Sequence, residues 1–188
     1  MRWIVFILLL AICLTLDQAF LQVIAIGSIF PGTCGALVVF VALFAPRPTA
    51  LWAALLAGTM LDLGSPAVDA QGHPYYVIGP YALGFVLGAY LVLLLRSIVF
   101  RRNPLTVGML TLPFLLAVSV IFLAIWSIRG FYADAQLPWH SESVTSQIAQ
   151  MIGWATYSAL LALPLGWLLL ITWSLWGFDQ LPARPSRR

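Results

Sequence analysis

Lysine is absent from these 188 residues, and charge of either sign is scarce: nine arginines and six acids make up 8% of the chain, against 62% hydrophobic residues. A soluble domain is about 25% charged and about 45–50% apolar. Too few polar residues remain here to cover the surface of a water-soluble globule of this size. The chain also lacks G-x-S-x-G, H-E-x-x-H, a phosphate-cradling glycine loop and a paired-carboxylate motif, so nothing in it announces an enzyme or calls for a cofactor. Its arginines form no basic stripe, which excludes nucleic acid as a partner. The two cysteines, Cys13 and Cys34, lie inside apolar runs without metal-ligand spacing and read as small buried hydrophobes. His73 and His140 fall in separate loops and make no metal site.

What is present is apolar sequence in long runs, and it reads as one integral membrane domain over 1–188, embedded in membrane lipid. A spanning helix needs about 20 apolar residues. Six candidates occur, at about 3–23, 31–44, 49–63, 75–95, 104–128 and 146–176, with prolines and glycines at most boundaries. The fold class expected is therefore all-α, with six transmembrane helices. The opening "MRWIVFILLLAIC" has the charge and apolar run of a signal peptide, but no small-residue cleavage site follows, so it is taken as the first span. The second and third candidates are short, about 15 residues or about 22 Å each, which leaves a re-entrant pair as the alternative to two full spans.

Arginine placement orients the chain. With six spans, Arg2, Arg47, Arg96, Arg101, Arg102, Arg184, Arg187 and Arg188 share one side and Arg129 stands alone on the other. The positive-inside bias puts both termini in the cytoplasm. Trp167, Trp173 and Trp176 approach the inner end of the last helix, where indole rings anchor at an interface.

Asp62 is the residue that composition does not explain. A charge at a bilayer centre costs about 2.5–3.5 kcal/mol on insertion scales. Ala54, Gly58 and Asp62 follow at i, i+4 spacing, so two small residues and the acid share one helix face. Three readings stay open: a helix end bonded to backbone and water, a polar contact inside the bundle, or a ligand or proton site. Asp17, at a similar estimated depth, is followed by Gln18 and Gln22 and reads as the outer end of helix one entering the interface. If Asp62 points inward, Asp17, Gln18, Gln22 and Arg129 are its expected partners, and Asp17, Gln22, Asp62 and Arg129 are expected to form an intramembrane polar pocket. Pro80, Gly84 and Gly88 form a second small-residue row, read as internal packing or as a partner-facing surface. Arg96, Arg101 and Arg102 make a basic loop suited to docking or to anionic lipid.

"LWAALLAGTMLDLGSP" followed by "YALGFVLGAYLVLLL" resembles the rod shape-determining protein MreD family, whose pattern is a short helix with G-x-x-x-D-L, a loop, and a glycine-containing helix ending in a basic loop. Gly58, Asp62 and Leu63 match the first motif, 79–90 the helix, and "RSIVFRRN" the basic loop. The motifs lie between about residues 20 and 102. The 64–78 loop is longer than is usual in the family, and Gly32–Thr33 stands where a polar or acidic residue often follows the proline. The resemblance implies a non-enzymatic subunit of the bacterial cell-elongation machinery in the cytoplasmic membrane, supporting peptidoglycan synthesis and cell shape. Implied partners are a bitopic MreC-like protein, an MreB-like filament, and a RodA glycosyltransferase with its penicillin-binding protein. The family is also similar in fold to the substrate-binding components of energy-coupling-factor transporters, which gives a second expectation: a vitamin- or metal-binding subunit with its pocket near Asp62.

Overall fold

The computed structural model describes residues 1–27, 29–68, 74–99, 103–129 and 144–178. These residues are almost entirely helical: α1 (Trp3–Ala19), α2 (Cys34–Phe44), α3 (Arg47–Gly64), α4 (Pro80–Leu95), α5 (Pro104–Arg129), α6 (Val144–Ile171) and a single turn, α7 (Trp173–Trp176). One element was not expected. Between α3 and α4, β1 (Ala67–Val68) pairs antiparallel with β2 (Pro74–Tyr75), Ala67 opposite Tyr75 and Val68 opposite Pro74. The fourth apolar run accordingly starts its helix at Pro80 and not at Tyr75, because Tyr75 belongs to the ladder.

Among the described residues, two helices are long and apolar enough to cross a membrane: α5, with 26 residues, and α6, with 28. At 1.5 Å per residue they extend about 39 and about 42 Å. The shorter apolar helices are α1, α2 and α4. Many of the large hydrophobic side chains on the outside are fully open, as with Ile4, Leu8 and Ile12 on α1, Met109 and Val120 on α5, and Leu160 and Ile171 on α6.

Apart from the single turn α7, the helix at the centre is the shortest of those described. Residues Cys34–Leu43 of α2 are all buried, and α2 touches α1, α3, α4, α5 and α6. Eleven residues give about 16 Å, roughly half of a 30 Å hydrocarbon core. A helix apolar all round belongs in the middle of a bundle, and its neighbours supply what its ends need. The remaining helices stack in chain order, α3 on α4, α4 on α5 and α5 on α6. Glycines set the α5–α6 spacing: a Cβ on Gly108 would collide with Leu163 Cδ2, and one on Gly166 would lie 2.9 Å from Val107 Cβ.

Trp176 departs from its expected role as an interfacial anchor. It is fully buried, stacked on Phe178 with ring centroids 5.5 Å apart and tilted against Phe40 at 5.2 Å, while its carbonyl accepts the Arg2 N–H at 2.9 Å. The aromatic residues of α2 and α7 gather there with Phe44 and Trp173. Trp167 is well exposed, as an anchor should be.

Candidate functional site

Asp62 points inward, as the small-residue face required, and is 2% exposed. Its partners are not the ones expected. Oδ2 accepts the N–H groups of Gly79 at 2.8 Å and Ala82 at 3.0 Å, and Oδ1 accepts that of Tyr81 at 2.9 Å. These belong to the first turn of α4, whose N–H groups have no intrahelical acceptor. The only residue skipped is Pro80, which has no N–H to offer and suits the first helical position. Asp62 is thus the N-cap of a different helix from its own, and its negative end meets the positive end of the α4 dipole. Gly79 itself turns with φ +144°, a conformation open to glycine and poorly tolerated by other residues.

Gly58 is what lets the two backbones meet. A Cβ there would stand 2.6 Å from both Ala82 Cα and Tyr81 O. Backbone cannot swing aside as a side chain can, so the site admits no larger residue without separating α3 from α4. Gly58 and Asp62 are two parts of one clamp: closeness from the glycine, hydrogen bonding from the acid one turn later.

Asp17 repeats the device at α2. Its Oδ1 lies 2.8 Å from the Thr33 N–H and 2.7 Å from Thr33 Oγ1, and Oδ2 is 3.4 Å from the Cys34 N–H. Gly32 N–H donates to Ser158 Oγ of α6 at 2.9 Å, so two helices satisfy the start of α2. Asp17 thus stands in the last turn of α1, at the end of helix one, and acts there as a half-buried cap on α2. At the far end of α2, Arg96 Nη1 donates to the carbonyls of Ala45 at 2.9 Å and Ala42 at 3.2 Å. A cation there suits the negative end of the helix dipole. Arg96 is thus a C-cap for α2, a role the basic-loop reading did not include, and Arg101 and Arg102 lie outside the described residues.

The small-residue row of α4 is also taken up inside the molecule. A Cβ on Gly84 would lie 3.1 Å from Val118 Cγ1, one on Gly88 would lie 2.8 Å from Phe114 Cδ2, and Pro80 is buried at the clamp. The row is the α4–α5 seam and not an open partner face. Gly88→Leu is accordingly expected to lower the thermal unfolding midpoint of the purified chain by several degrees with no partner present, because the Phe114 ring must move. An unchanged midpoint would show that the seam can open.

Arg129 does not reach Asp62. Its guanidinium carbon sits 5.2 Å from the Tyr75 ring centroid and 5.7 Å from that of Trp126. The expected four-residue pocket of Asp17, Gln22, Asp62 and Arg129 therefore does not assemble, because backbone N–H groups occupy both carboxyls. Asp17 and Gln22 do meet: with Gln18, Gly32 and Trp154 they line a cavity of about 200 Å³. A neighbouring cavity of about 220 Å³ lies between α5 and α6, lined by Val118, Ser119, Phe122 and Met151, and shares Phe30, Tyr81 and Trp154 as a common wall. Among the described residues no three His, Cys, Asp or Glu side chains come together to hold a metal ion.

Ser158, Trp154 and Tyr81 were not singled out by sequence. A serine and two aromatics inside apolar helices carry no signal until the helices are placed. Comparison with known protein families, with curated proteins and with solved structures finds no match for the chain.

Proposed function

We propose that this chain is a non-enzymatic, six-span subunit of the bacterial cell-elongation machinery, of the MreD kind, held in the cytoplasmic membrane with both termini inside. The reading rests first on the resemblance of the 58–63 and 79–90 segments to that family. What supports it beyond the letters is the clamp. Gly58 and Asp62, the motif's two defining residues, act together on the first turn of α4, the other segment that carries the resemblance. A motif whose acid is held by three backbone N–H groups does structural work, as expected of a subunit that acts by contact and not by catalysis. The partners proposed are a bitopic MreC-like protein and, through it, an MreB-like filament and the RodA–penicillin-binding-protein synthase.

The cavity beside Asp17 favours a second reading, the substrate-binding subunit of an energy-coupling-factor transporter, since Gln18 and Gln22 bring amide groups to its wall. One preparation separates the two. Co-expression with an MreC-like protein from the same genome should recover a stable complex from the membrane, and calorimetry of the isolated chain with candidate vitamins should show no binding. Tight vitamin binding without recovery of the MreC-like protein would overturn the cell-shape reading. Reporter fusions should place positions 47 and 96–103 inside and positions 73 and 139 outside. A cytoplasmic reporter at 139 would end the six-span topology.

A further inference from the structure

The α5 end that carries Arg129 holds three hydrogen-bond donors with nothing to donate to. Tyr75 Oη, Trp126 Nε1 and Arg129 Nε are each buried and without a partner. Trp126 is 4% exposed. A buried donor left unpaired forfeits its hydration without compensation, so three within one contact group call for an acceptor. The three residues are physically continuous: the guanidinium lies within 6 Å of both ring centroids, and β2 is what brings Tyr75 to it. Among the described residues no carboxylate pairs with Arg129, so none of them neutralises its guanidinium. Its unmet needs are all of one kind, and an anion with several acceptor oxygens meets them.

The same face of α5 says what the anion is attached to. Val118, Phe122, Trp126 and Arg129 follow at intervals of four, four and three residues, which stacks them along one helix face. Val118 and Phe122 line the α5–α6 cavity with Ile29, Phe30 and Met151. The Phe122 ring centroid is 6.2 Å from that of Trp126. This cavity, whose wall also carries Ser119, Gln147 and Gln150, thus leads along its apolar α5 side, one helical turn at a time, to a cationic cluster of unpaired donors. We propose that this face binds a phosphate-bearing amphiphile, its phosphate oxygens on Tyr75, Trp126 and Arg129 and an acyl or prenyl chain against the cavity. The guanidinium supplies charge-assisted bonds to the phosphate, and Tyr75 and Trp126 supply one neutral donor each.

Tyr75→Phe deletes only the hydroxyl and keeps the ring, whereas Trp126→Phe removes Nε1 together with the pyrrole half of the indole. Arg129→Gln removes the charge. The full chain, purified in a neutral detergent, is heated with dioleoylphosphatidylglycerol, with dioleoylglycerol, or with inorganic phosphate, and the folded fraction is followed by size-exclusion chromatography. Phosphatidylglycerol is expected to raise the unfolding midpoint of the wild type at micromolar concentration, and dioleoylglycerol to leave it unchanged. Arg129→Gln should weaken the apparent affinity by about tenfold or more, and Tyr75→Phe and Trp126→Phe by about three- to tenfold each. Without lipid, Tyr75→Phe should unfold at or above the wild-type temperature, since it discards an unmet donor. This opposite response, no less stable alone and less responsive to lipid, is one that a purely structural tyrosine would not give. Equal stabilisation by dioleoylglycerol would remove the phosphate from the proposal, and equal potency of inorganic phosphate would remove the chain. A Tyr75→Phe protein that is less stable without lipid, yet responds to it normally, would overturn the site.

Discussion

Asp62→Leu should abolish recovery of folded protein, or at least shift its denaturation further than any other single substitution at a helix end. The leucine fills similar space but accepts nothing, so the N–H groups of Gly79, Tyr81 and Ala82 are left unpaired at a buried helix start. At about 1–3 kcal/mol for each unsatisfied donor, the loss is at least about 3 kcal/mol. Asp62→Asn should fall between, because one amide oxygen can still serve one or two of the three donors. Gly58→Ala acts on the same joint from its steric side. Its Cβ would meet the α4 backbone at 2.6 Å, and once α4 is forced away the cap no longer reaches. The two substitutions should therefore be strongly non-additive, Gly58→Ala costing little further in an Asp62→Leu background. Denaturant titration of the four proteins of that cycle, in lipid nanodiscs, measures this. Simple additivity would show that the glycine and the acid stabilise different things.

The second large effect is expected at α2, whose ends are finished by residues far away in sequence. Asp17→Leu strips the acceptor from Thr33 and Cys34, and Arg96→Met strips the donor from the Ala42 and Ala45 carbonyls. Asp17→Leu should be the more damaging, by about 1–2 kcal/mol, since an unmet N–H is harder to satisfy than a carbonyl with two lone pairs. Arg96→Lys should retain most of the stability, as an ammonium also donates to carbonyls and carries the same sign toward the helix end. Hydrogen exchange at the α2 amides offers a local readout: protection should fall along the whole of Cys34–Phe44 in Asp17→Leu, since so short a helix opens as a unit. Loss confined to its first turn would show that the bundle holds α2 without the cap.

These two joints also show where the sequence was readable and where it was not. The spacing of Ala54, Gly58 and Asp62 fixed a common face, and burial of that face in α3 followed from it. The acid's partner was sought among polar side chains, because those can be seen in a sequence. The true partner is the free N–H set of a helix start, which belongs to a shape and not to a residue type. A trace existed: Gly79–Pro80 is a helix-opening pair 17 residues after Asp62, and Pro31–Gly32–Thr33 stands similarly after Asp17. Arg96 reads in the sequence as one more loop arginine, and its place at the end of α2 follows only once α2 and α4 are packed together. The extent of α2 was overestimated because "PGTC" carries apolar character into what is its capping turn.

The distances along the chain at which α2 is finished impose an order in time. When a ribosome has delivered residues 34–44, the acceptor for the first N–H groups is already present in Asp17, but the donor for the last carbonyls is Arg96, 51 residues beyond Ala45. Ser158, which takes the Gly32 N–H, comes 126 residues after it. An 11-residue apolar segment is also too short to be threaded across a bilayer and left there by itself. The centre of the bundle must therefore wait, incompletely bonded, while its surroundings are still being made. Early truncations of this chain, however hydrophobic, should be clients of insertion factors and quality-control proteases until Arg96 and then Ser158 of α6 have emerged and the middle can close.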